Sequence, residues 1–137
     1  MVGGGPAGCA AAYHLARAGV RTVLVEKAAY PRVKPCGGLV SPEVSQWFDF
    51  SFEPVISTRV SRVRYTWFDR SAELELTDAE PIWMVRRERF DAYLAERAAE
   101  AGASVRDGCG LVDCERQDEG WRLETDHGVL LAQTIVW

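Results

Sequence analysis

The sequence predicts an α/β fold in which a parallel sheet with helices carries an inserted antiparallel sheet. A glycine-rich turn leads directly into a helical segment and then into a short apolar strand that ends at Glu26. Two segments near the middle of the chain alternate polar and apolar residues, which is typical of half-buried antiparallel strands. A second helical segment and another strand follow, and this order indicates a parallel sheet interrupted by an insertion.

Bulk properties restrict the class of protein. The chain has 137 residues, a 47% hydrophobic fraction and a 26% charged fraction, which suit at most one globular domain. Its net charge of −4 argues against nucleic-acid binding, which needs a clustered basic surface. No apolar run approaches the roughly 18 residues of a membrane span. The cysteines show neither a C-x-x-C pair nor zinc-like spacing, so we expect reduced thiols, no metal site and a cytoplasmic protein.

The first helix is predicted from Pro6 to Ala18. A proline is tolerated in the first helical turn because its missing N–H would have no helical partner. Small residues dominate one helical face, which allows a close approach to a sheet. Gly19 is expected to end the helix. The segment RTVLVE then forms the short buried strand that closes on Glu26.

The turn before this helix carries the G-x-G-x-x-G fingerprint at Gly3, Gly5 and Gly8. In this fingerprint the first glycine permits a tight turn, the second lets backbone N–H groups reach a pyrophosphate, and the third lets helix and sheet pack closely. The helix N-terminus adds partial positive charge. Glu26 lies about 20 residues further along the chain. In this fingerprint an acidic side chain at that distance accepts a hydrogen bond from a ribose hydroxyl. These residues predict a dinucleotide site.

The loop after Glu26 narrows the choice of dinucleotide. Pro31, Pro35, Gly37 and Gly38 forbid a helix there. NAD-dependent dehydrogenases usually continue into another helix of the same sheet at this point, so the loop disfavours that class. We expect the loop to cross the bound cofactor.

An antiparallel segment is predicted at about residues 55–85. The runs RVSRVRYTWF and AELELT alternate and are separated by Asp-Arg-Ser, which suits a turn. The run PIWMV is interpreted as a third strand of the same sheet. Trp67 and Trp83 are expected to lie in its core or to line a pocket, and the core position is favoured.

A second helix is predicted from about Arg87 to Ala101. Asp91 is interpreted as a charge that serves the helix dipole rather than chemistry. A strand around Val105 and a hairpin around His127 follow, and the chain ends inside the apolar run TIVW.

Three blocks of the sequence resemble one family. The segments VGGGPAGCAAAYHLARAGVRTVLVEK, YPRVKPCGG and VRRERFDAYLAERAAEAGA are similar to the geranylgeranyl reductase family of FAD-dependent oxidoreductases. That family shares the flavin fold of p-hydroxybenzoate hydroxylase, an FAD/NAD(P)-binding Rossmann-like domain with an inserted antiparallel sheet. The resemblance covers about residues 1–137, and P-R-x-K-P-C-G-G is its most discriminating block.

The resemblance implies a set of site residues. Gly3, Gly5, Ala7 and Gly8 would hold the FAD pyrophosphate, and Glu26 the adenosine ribose. In the second block, Cys36, Gly37 and Gly38 would approach the ribityl chain and the isoalloxazine ring. The ten residues of loop from Glu26 to Cys36 are long enough to run along FAD to its flavin end, which makes the Cys36 thiol the candidate catalytic group. A small buried residue with an inert thiol is the alternative. Arg87 would contact the cofactor from the start of the second helix, and the main chain of Leu111 would bind adenine.

The resemblance also implies an activity. Reduced FAD would deliver hydride to a geranylgeranyl-type double bond of a prenylated small molecule or lipid, with NAD(P)H or a reduced ferredoxin as the electron donor. A prenylated substrate implies peripheral membrane contact. Two alternatives stay open: an FAD-dependent monooxygenase or halogenase of the same fold, and a non-catalytic dinucleotide-binding fragment.

The resemblance further predicts that residues 1–137 form a partial FAD-binding domain, truncated at both ends. The antiparallel segment at about 55–85 would belong to the start of the substrate domain. We expect a fragment of a longer reading frame that is inactive alone, with Met1 an internal or artificial start.

Overall fold

The computed structural model describes residues 1–76 and 80–137. Its α-helices are α1 (Pro6–Arg17) and α2 (Arg87–Glu100). The strands in the described residues are β1 (Val23–Val25), β2 (Leu39–Val40), β3 (Ile56–Val60), β4 (Arg62–Trp67), β5 (Arg70–Glu75), β6 (Ile82–Val85), β7 (Ser104–Arg106), β8 (Leu111–Gln117), β9 (Gly120–Thr125) and β10 (Gly128–Ala132). Short 3₁₀ segments span Pro42–Trp47 and Glu53–Val55. The chain forms two compact units, residues 1–33 with 88–137 and residues 34–87.

The first unit contains the predicted parallel pairing. β1 pairs parallel with β7, and Leu24 lies opposite Val105. Val2 forms a parallel bridge with Val25 on the other side of β1, and the Val2 N–H donates to the carbonyl of Val136 at 2.8 Å. The residues before the glycine turn therefore lie between β1 and the end of the chain. This position places the turn at the carboxyl end of a parallel sheet, where dinucleotides bind.

The two helices bury their apolar faces in the same unit. α1 buries Gly8, Cys9, Ala12 and Tyr13, and its small residues let it approach the sheet closely. α2 buries residues spaced at three and four positions, namely Phe90, Asp91, Leu94, Ala95 and Ala98. Both helices end within a residue or two of the predicted positions, because a glycine follows each of them.

A second sheet of this unit is antiparallel, in the order β10–β9–β8. The predicted hairpin is present, since Gly128 of β10 pairs with Thr125 of β9. β8 was not predicted. Most side chains of β8 are exposed on both faces of the strand. Its sequence, LVDCERQ, therefore lacks the alternation of polar and apolar residues that marks a half-buried strand.

The second unit contains two separate antiparallel sheets. β4 and β5 form the predicted hairpin, with Val63 opposite Leu74. The predicted partner run AELELT ends at Thr77, which lies outside the described residues. The interpretation of PIWMV as a third strand of this hairpin is wrong. β6 instead lies between β2 and β3, and β3 (ISTRV) was missed because it carries three polar residues in a row.

The two tryptophans of this unit differ in burial. Trp83 is 8% exposed and its ring lies 5.7 Å from that of Phe52, which confirms its core position. Trp67 is 75% exposed, so its predicted core position is wrong. It lies at the end of a two-stranded hairpin, and a two-stranded ribbon has no second layer of its own to cover one face.

We predict that Leu24→Ala lowers the free energy of unfolding by about 2–5 kcal/mol, because Leu24 is fully buried in the parallel sheet and its truncation leaves a cavity. Chemical denaturation measures the change. The matched control is Leu131→Ala on β10, where the side chain is 76% exposed and the expected change is below about 0.5 kcal/mol. Equal losses in the two variants would contradict this core.

Candidate cofactor site

Two glycines of the fingerprint set the shape of the turn. Gly3 has φ +93°, a conformation that side chains rarely adopt, and its N–H donates to the Val25 carbonyl at 2.8 Å. A Cβ on Gly8 would overlap the carbonyl oxygen of Gly3. The first turn of α1 therefore packs directly on the backbone that leaves the sheet. Gly8 is required for that contact.

The N-terminus of α1 is open to an anion. Gly5 is the N-cap residue and makes no side-chain cap hydrogen bond, and the first helical turn contains no acidic residue. The only atom within 4 Å of a Cβ placed on Gly5 would be Nη2 of Arg32, at 3.7 Å. The N–H groups of the first turn, which include that of Ala7, have no intrahelical partner. The space beside Gly5 and these donors suit a phosphate.

Glu26 follows β1 and is buried beside the turn. Its Oε2 accepts a hydrogen bond from the Gly4 N–H at 2.6 Å, and its Oε1 accepts one from the Ala28 N–H at 3.1 Å. A carboxylate offers about four lone-pair positions, so capacity for a ribose hydroxyl is left. The structure thus brings Glu26 together with the turn, as the sequence predicted.

Sequence reasoning missed the roles of three residues at this turn, namely Gly4, Tyr30 and Arg32. The Gly4 carbonyl accepts hydrogen bonds from the Tyr30 hydroxyl at 2.5 Å and from Nη2 of Arg32 at 3.2 Å. A Cβ on Gly4 would overlap the Tyr30 hydroxyl. Two sequence features could have pointed to these contacts. They are the consecutive glycines Gly3–Gly5 and the polar side chains of Tyr30 and Arg32 in the loop that was expected to cross the cofactor.

Asp91 has a different role from the one predicted. It is fully buried, and its Oδ2 lies 3.1 Å from Nη2 of Arg32. A carboxylate with no exposed surface cannot serve mainly as a solvated charge for the helix dipole. The interpretation is corrected: Asp91 holds Arg32, whose Nε is itself buried, has no hydrogen-bond partner and lies 3.6 Å from Oε2 of Glu26.

Burial keeps two neighbouring groups protonated. Desolvation raises the pKa of the Cys9 thiol to about 11, and the negative charge of Asp91 adds to the shift. Desolvation, followed by Cys9 and Glu26, also raises the pKa of the Tyr30 hydroxyl. Tyr30 therefore remains a hydrogen-bond donor to the turn at neutral pH.

Three of the predicted flavin-side residues lie in the unit formed by residues 34–87. Cys36 is exposed, and its sulfur accepts a hydrogen bond from the Gly38 N–H at 3.4 Å. Gly38 has φ +76°, its carbonyl accepts from the Val85 N–H at 2.8 Å, and a Cβ there would overlap the Val85 carbonyl. A Cβ on Gly37 would meet open space. Gly38 is thus fixed against β6, whereas Gly37 is unobstructed.

Arg87 and Leu111 begin elements in the described structure. Arg87 is the first residue of α2 and belongs to the same unit as Cys36. Leu111 is the first residue of β8 and pairs with Thr125. Two residues before Leu111, the Cys109 N–H donates to the Glu26 carbonyl at 2.8 Å. The segment before β8 is therefore attached to the backbone of Glu26.

One grouping of metal-type side chains occurs in the described residues. Ligand atoms of Cys109, Asp126 and His127 lie within 4.8 Å of one another. Oδ1 of Asp126 also accepts from the Gly110 N–H at 2.9 Å, which gives this carboxylate a structural role at the hairpin turn. The expectation of no metal site stays a prediction.

Comparison with known proteins identifies the family. The chain matches the sequence model of the FAD dependent oxidoreductases over residues 1–136. The chain belongs to this family. It is 43% identical over 114 residues to a chloroplastic geranylgeranyl diphosphate reductase of Nicotiana tabacum, covering 81% of this chain and 24% of that protein. It is 34% identical over 138 residues to the geranylgeranyl diphosphate reductase of Rhodobacter capsulatus, covering 100% of this chain and 31% of the relative.

Solved structures agree with the predicted fold class. A geranylgeranyl bacteriochlorophyll reductase-like protein of Thermoplasma acidophilum superposes with a TM-score of 0.80 at 26% identity, covering 93% of this chain and 34% of that one. The halogenase PltM superposes with a TM-score of 0.78 at 16% identity, covering 96% of this chain and 32% of that one, which shows the fold alone. The resemblance to the reductase family and the p-hydroxybenzoate hydroxylase-like fold are both confirmed. The chain spans about a quarter to a third of the length of these proteins.

The residues around the turn fit FAD, the cofactor of this family. The open space at Gly5, the uncapped start of α1 and the remaining lone pairs of Glu26 match a pyrophosphate joined to a ribose. The guanidinium of Arg32, whose Nη2 lies 3.7 Å from the Cβ position of Gly5, adds positive charge at the edge of that position. Among the described residues, no helix is long and apolar enough to cross a membrane.

We predict that two glycine variants of the turn fail in different ways. Gly8→Ala should destabilise the protein by about 1–3 kcal/mol because the new Cβ overlaps the Gly3 carbonyl. Gly5→Ala should leave the melting temperature nearly unchanged, because its Cβ makes only an ordinary contact with Nη2 of Arg32 at 3.7 Å, yet weaken FAD binding by filling the phosphate position. Thermal unfolding without ligand and FAD titration separate the two effects. Full FAD affinity in Gly5→Ala would contradict the assigned position.

Proposed function

We propose that this chain provides the dinucleotide-holding part of an enzyme that reduces isoprenoid double bonds with FAD. The observation that carries the proposal is the 34% identity to a geranylgeranyl diphosphate reductase across the whole chain. The geometry supports it, because the turn, Glu26 and the loop after β1 form a site for the adenosine and pyrophosphate groups. The parallel sheet holds these groups at its carboxyl end.

Within this proposal the protein binds and orients, and the cofactor supplies the redox chemistry. FAD, when reduced, is the source of the hydride that an alkene reduction needs. The first turn of α1, with Gly3, Gly5, Ala7 and Gly8, binds the pyrophosphate through backbone N–H groups. Glu26 accepts from the ribose, and the main chain of Leu111 binds adenine.

The residues proposed for the flavin end are Cys36, Gly37 and Gly38. Gly38 is held against the backbone of β6, which gives the loop a fixed shape. Gly37 leaves its surroundings open to a flat ring. The exposed Cys36 thiol is proposed to donate the proton that an alkene needs in addition to hydride, or to orient the substrate. Arg87 is proposed to contact the cofactor.

The proposal extends to the substrate and the electron donor. A geranylgeranyl-type chain on a small molecule or lipid is the proposed substrate, in line with the names of the relatives. NAD(P)H or a reduced ferredoxin is the proposed donor, and a prenylated substrate entails contact with a membrane surface. A monooxygenase or halogenase reaction remains the alternative, but the similarity to the halogenase shows the fold alone.

We predict that the protein, expressed with any sequence that flanks this chain in its reading frame, purifies yellow and releases FAD on denaturation. With a chemical reductant and a geranylgeranyl substrate it should form the saturated product. Chromatography of the released cofactor and mass spectrometry of the product test both statements. Release of NAD without flavin would contradict the cofactor, and a hydroxylated or halogenated product in air would favour the alternative reaction.

We predict that Cys36→Ala, in the same protein, retains FAD and reduces the alkene about 10²-fold more slowly, as expected when a general acid is lost. FAD should stay bound because Gly37 and Gly38 act through the backbone. The measurement is steady-state turnover with flavin content determined in the same sample. The control is Cys114→Ala in β8. Unchanged turnover of Cys36→Ala at full flavin occupancy would leave Cys36 without a catalytic role.

A further inference from the structure

The Gly4 peptide groups are held by side chains from outside the turn. The N–H of Gly4 donates to Oε2 of Glu26 at 2.6 Å. Its carbonyl accepts from the Tyr30 hydroxyl at 2.5 Å and from Nη2 of Arg32 at 3.2 Å. The Cys9 thiol lies 3.5 Å from the same oxygen. These contacts fix the orientation of the peptide bond that leads to Gly5, whose surroundings form the phosphate position.

Arg32 connects this peptide to two buried carboxylates. Its Nη2 lies 3.1 Å from Oδ2 of Asp91 on α2, and its Nε lies 3.6 Å from Oε2 of Glu26. The side chains are 12%, 0% and 9% exposed for Arg32, Asp91 and Glu26. A guanidinium between two buried carboxylates is strongly held, because leaving either charge without it would carry a large desolvation cost. Arg32 is therefore a rigid support.

Two roles are consistent with this ion pair. Arg32 could serve only to neutralise Asp91, in which case its contact with the turn is incidental. Two observations favour a role toward the cofactor. The Gly4 carbonyl already accepts from Tyr30, so Arg32 is not needed to satisfy it. Nη2 of Arg32 also lies 3.7 Å from the Cβ position of Gly5, at the edge of the phosphate position.

We propose that Arg32, held by Asp91, is a positioning residue for the pyrophosphate of the dinucleotide. It places positive charge beside the phosphates and, together with Tyr30 and Glu26, holds the Gly4 peptide so that the following N–H groups face them. This inference rests on the proposed function, namely that the turn binds FAD. It assigns to the loop after Glu26 a part in cofactor affinity that the glycine fingerprint alone does not describe.

The role makes a prediction about ligand chemistry. A residue that acts on the pyrophosphate should affect FAD and ADP, which carry phosphates, and leave adenosine nearly unaffected. A residue that only supports the fold should affect all three ligands together through the amount of folded protein. Affinities for FAD, ADP and adenosine therefore separate the two roles.

The experiment compares Arg32→Gln, Arg32→Lys and the double variant Arg32→Gln with Asp91→Asn. In the double variant Asp91 is made neutral together with Arg32, and Glu26 keeps its hydrogen bonds from the N–H groups of Gly4 and Ala28. We expect the double variant to regain most of the melting temperature that Arg32→Gln loses, yet to bind FAD and ADP about tenfold or more weakly than the unaltered protein. Its adenosine affinity should change less than about twofold. Arg32→Lys keeps the charge near Asp91 and should show an intermediate loss.

The matched control is Arg97→Gln. Arg97 is a partly buried arginine of α2 that bonds to Oε1 of Glu100 at 2.7 Å, and FAD affinity should be unchanged in this variant. Recovery of full FAD affinity in the double variant would show that Arg32 only neutralises Asp91 and would overturn the inference. Equal losses for adenosine and ADP in Arg32→Lys would overturn it as well. An unaltered protein that binds NAD but no FAD would instead overturn the proposed function, and the inference with it.

Discussion

The backbone contact between Gly3 and Gly8 is the constraint on which the cofactor side of the structure depends. It brings α1 so close to the end of the sheet that only a hydrogen atom fits at Gly8. This approach directs the start of α1 at the space beyond the carboxyl end of the sheet. The parallel pairing of Val2 with Val25 and of β1 with β7 then places Glu26 beside the same turn. The packing of α1 and the shape of the proposed phosphate position thus have a common origin in the six residues from Gly3 to Gly8.

The second determinant is a set of buried charges. Glu26, Arg32 and Asp91 come from the end of β1, the following loop and α2, and they are joined at the Gly4 peptide. Buried ion pairs seldom increase stability over an apolar alternative, but they favour one arrangement over others because a misplaced charge is costly. Here the arrangement that they favour is an ordered turn. A loop with two prolines is thereby attached to the sheet through polar contacts rather than through apolar packing.

The sequence was informative where local chemistry decides the structure. Gly3, Gly5, Gly8 and the acidic Glu26 identified the turn and its neighbour, because their spacing is a local pattern in which Gly3 adopts a positive φ and Gly8 admits no Cβ. The helices were predicted to within a residue or two, because a glycine follows each. Asp91 was misinterpreted for the opposite reason: its position early in a helix also suits a dipole charge, and only the fold brings Arg32 to it. Tyr30 and Arg32 were passed over because their targets are backbone atoms distant in the sequence.

Strand partners were the weakest part of the sequence reasoning. The β4–β5 hairpin was found because its turn is local, whereas β6 pairs with β2 and β3, and neither of these has a periodic pattern. The burial of Trp67 was predicted wrongly for a related reason. Alternation indicates that one face of a ribbon differs from the other, but it does not say whether a second layer covers the apolar face.

Solved structures of a reductase-like protein and of a halogenase have the same fold. In the present chain, the turn proposed to hold the cofactor is built from backbone donors, one acidic side chain and their supports. A site of this kind would recognise phosphate and ribose, which take no part in the reaction of the flavin. Reaction type must therefore depend on side chains near the ring, and in this chain the segment with Cys36, Gly37 and Gly38 is the one proposed for that place. Similarity to a relative in the turn is therefore evidence about which cofactor binds. Similarity in the segment with Cys36, Gly37 and Gly38 is evidence about which reaction is catalysed.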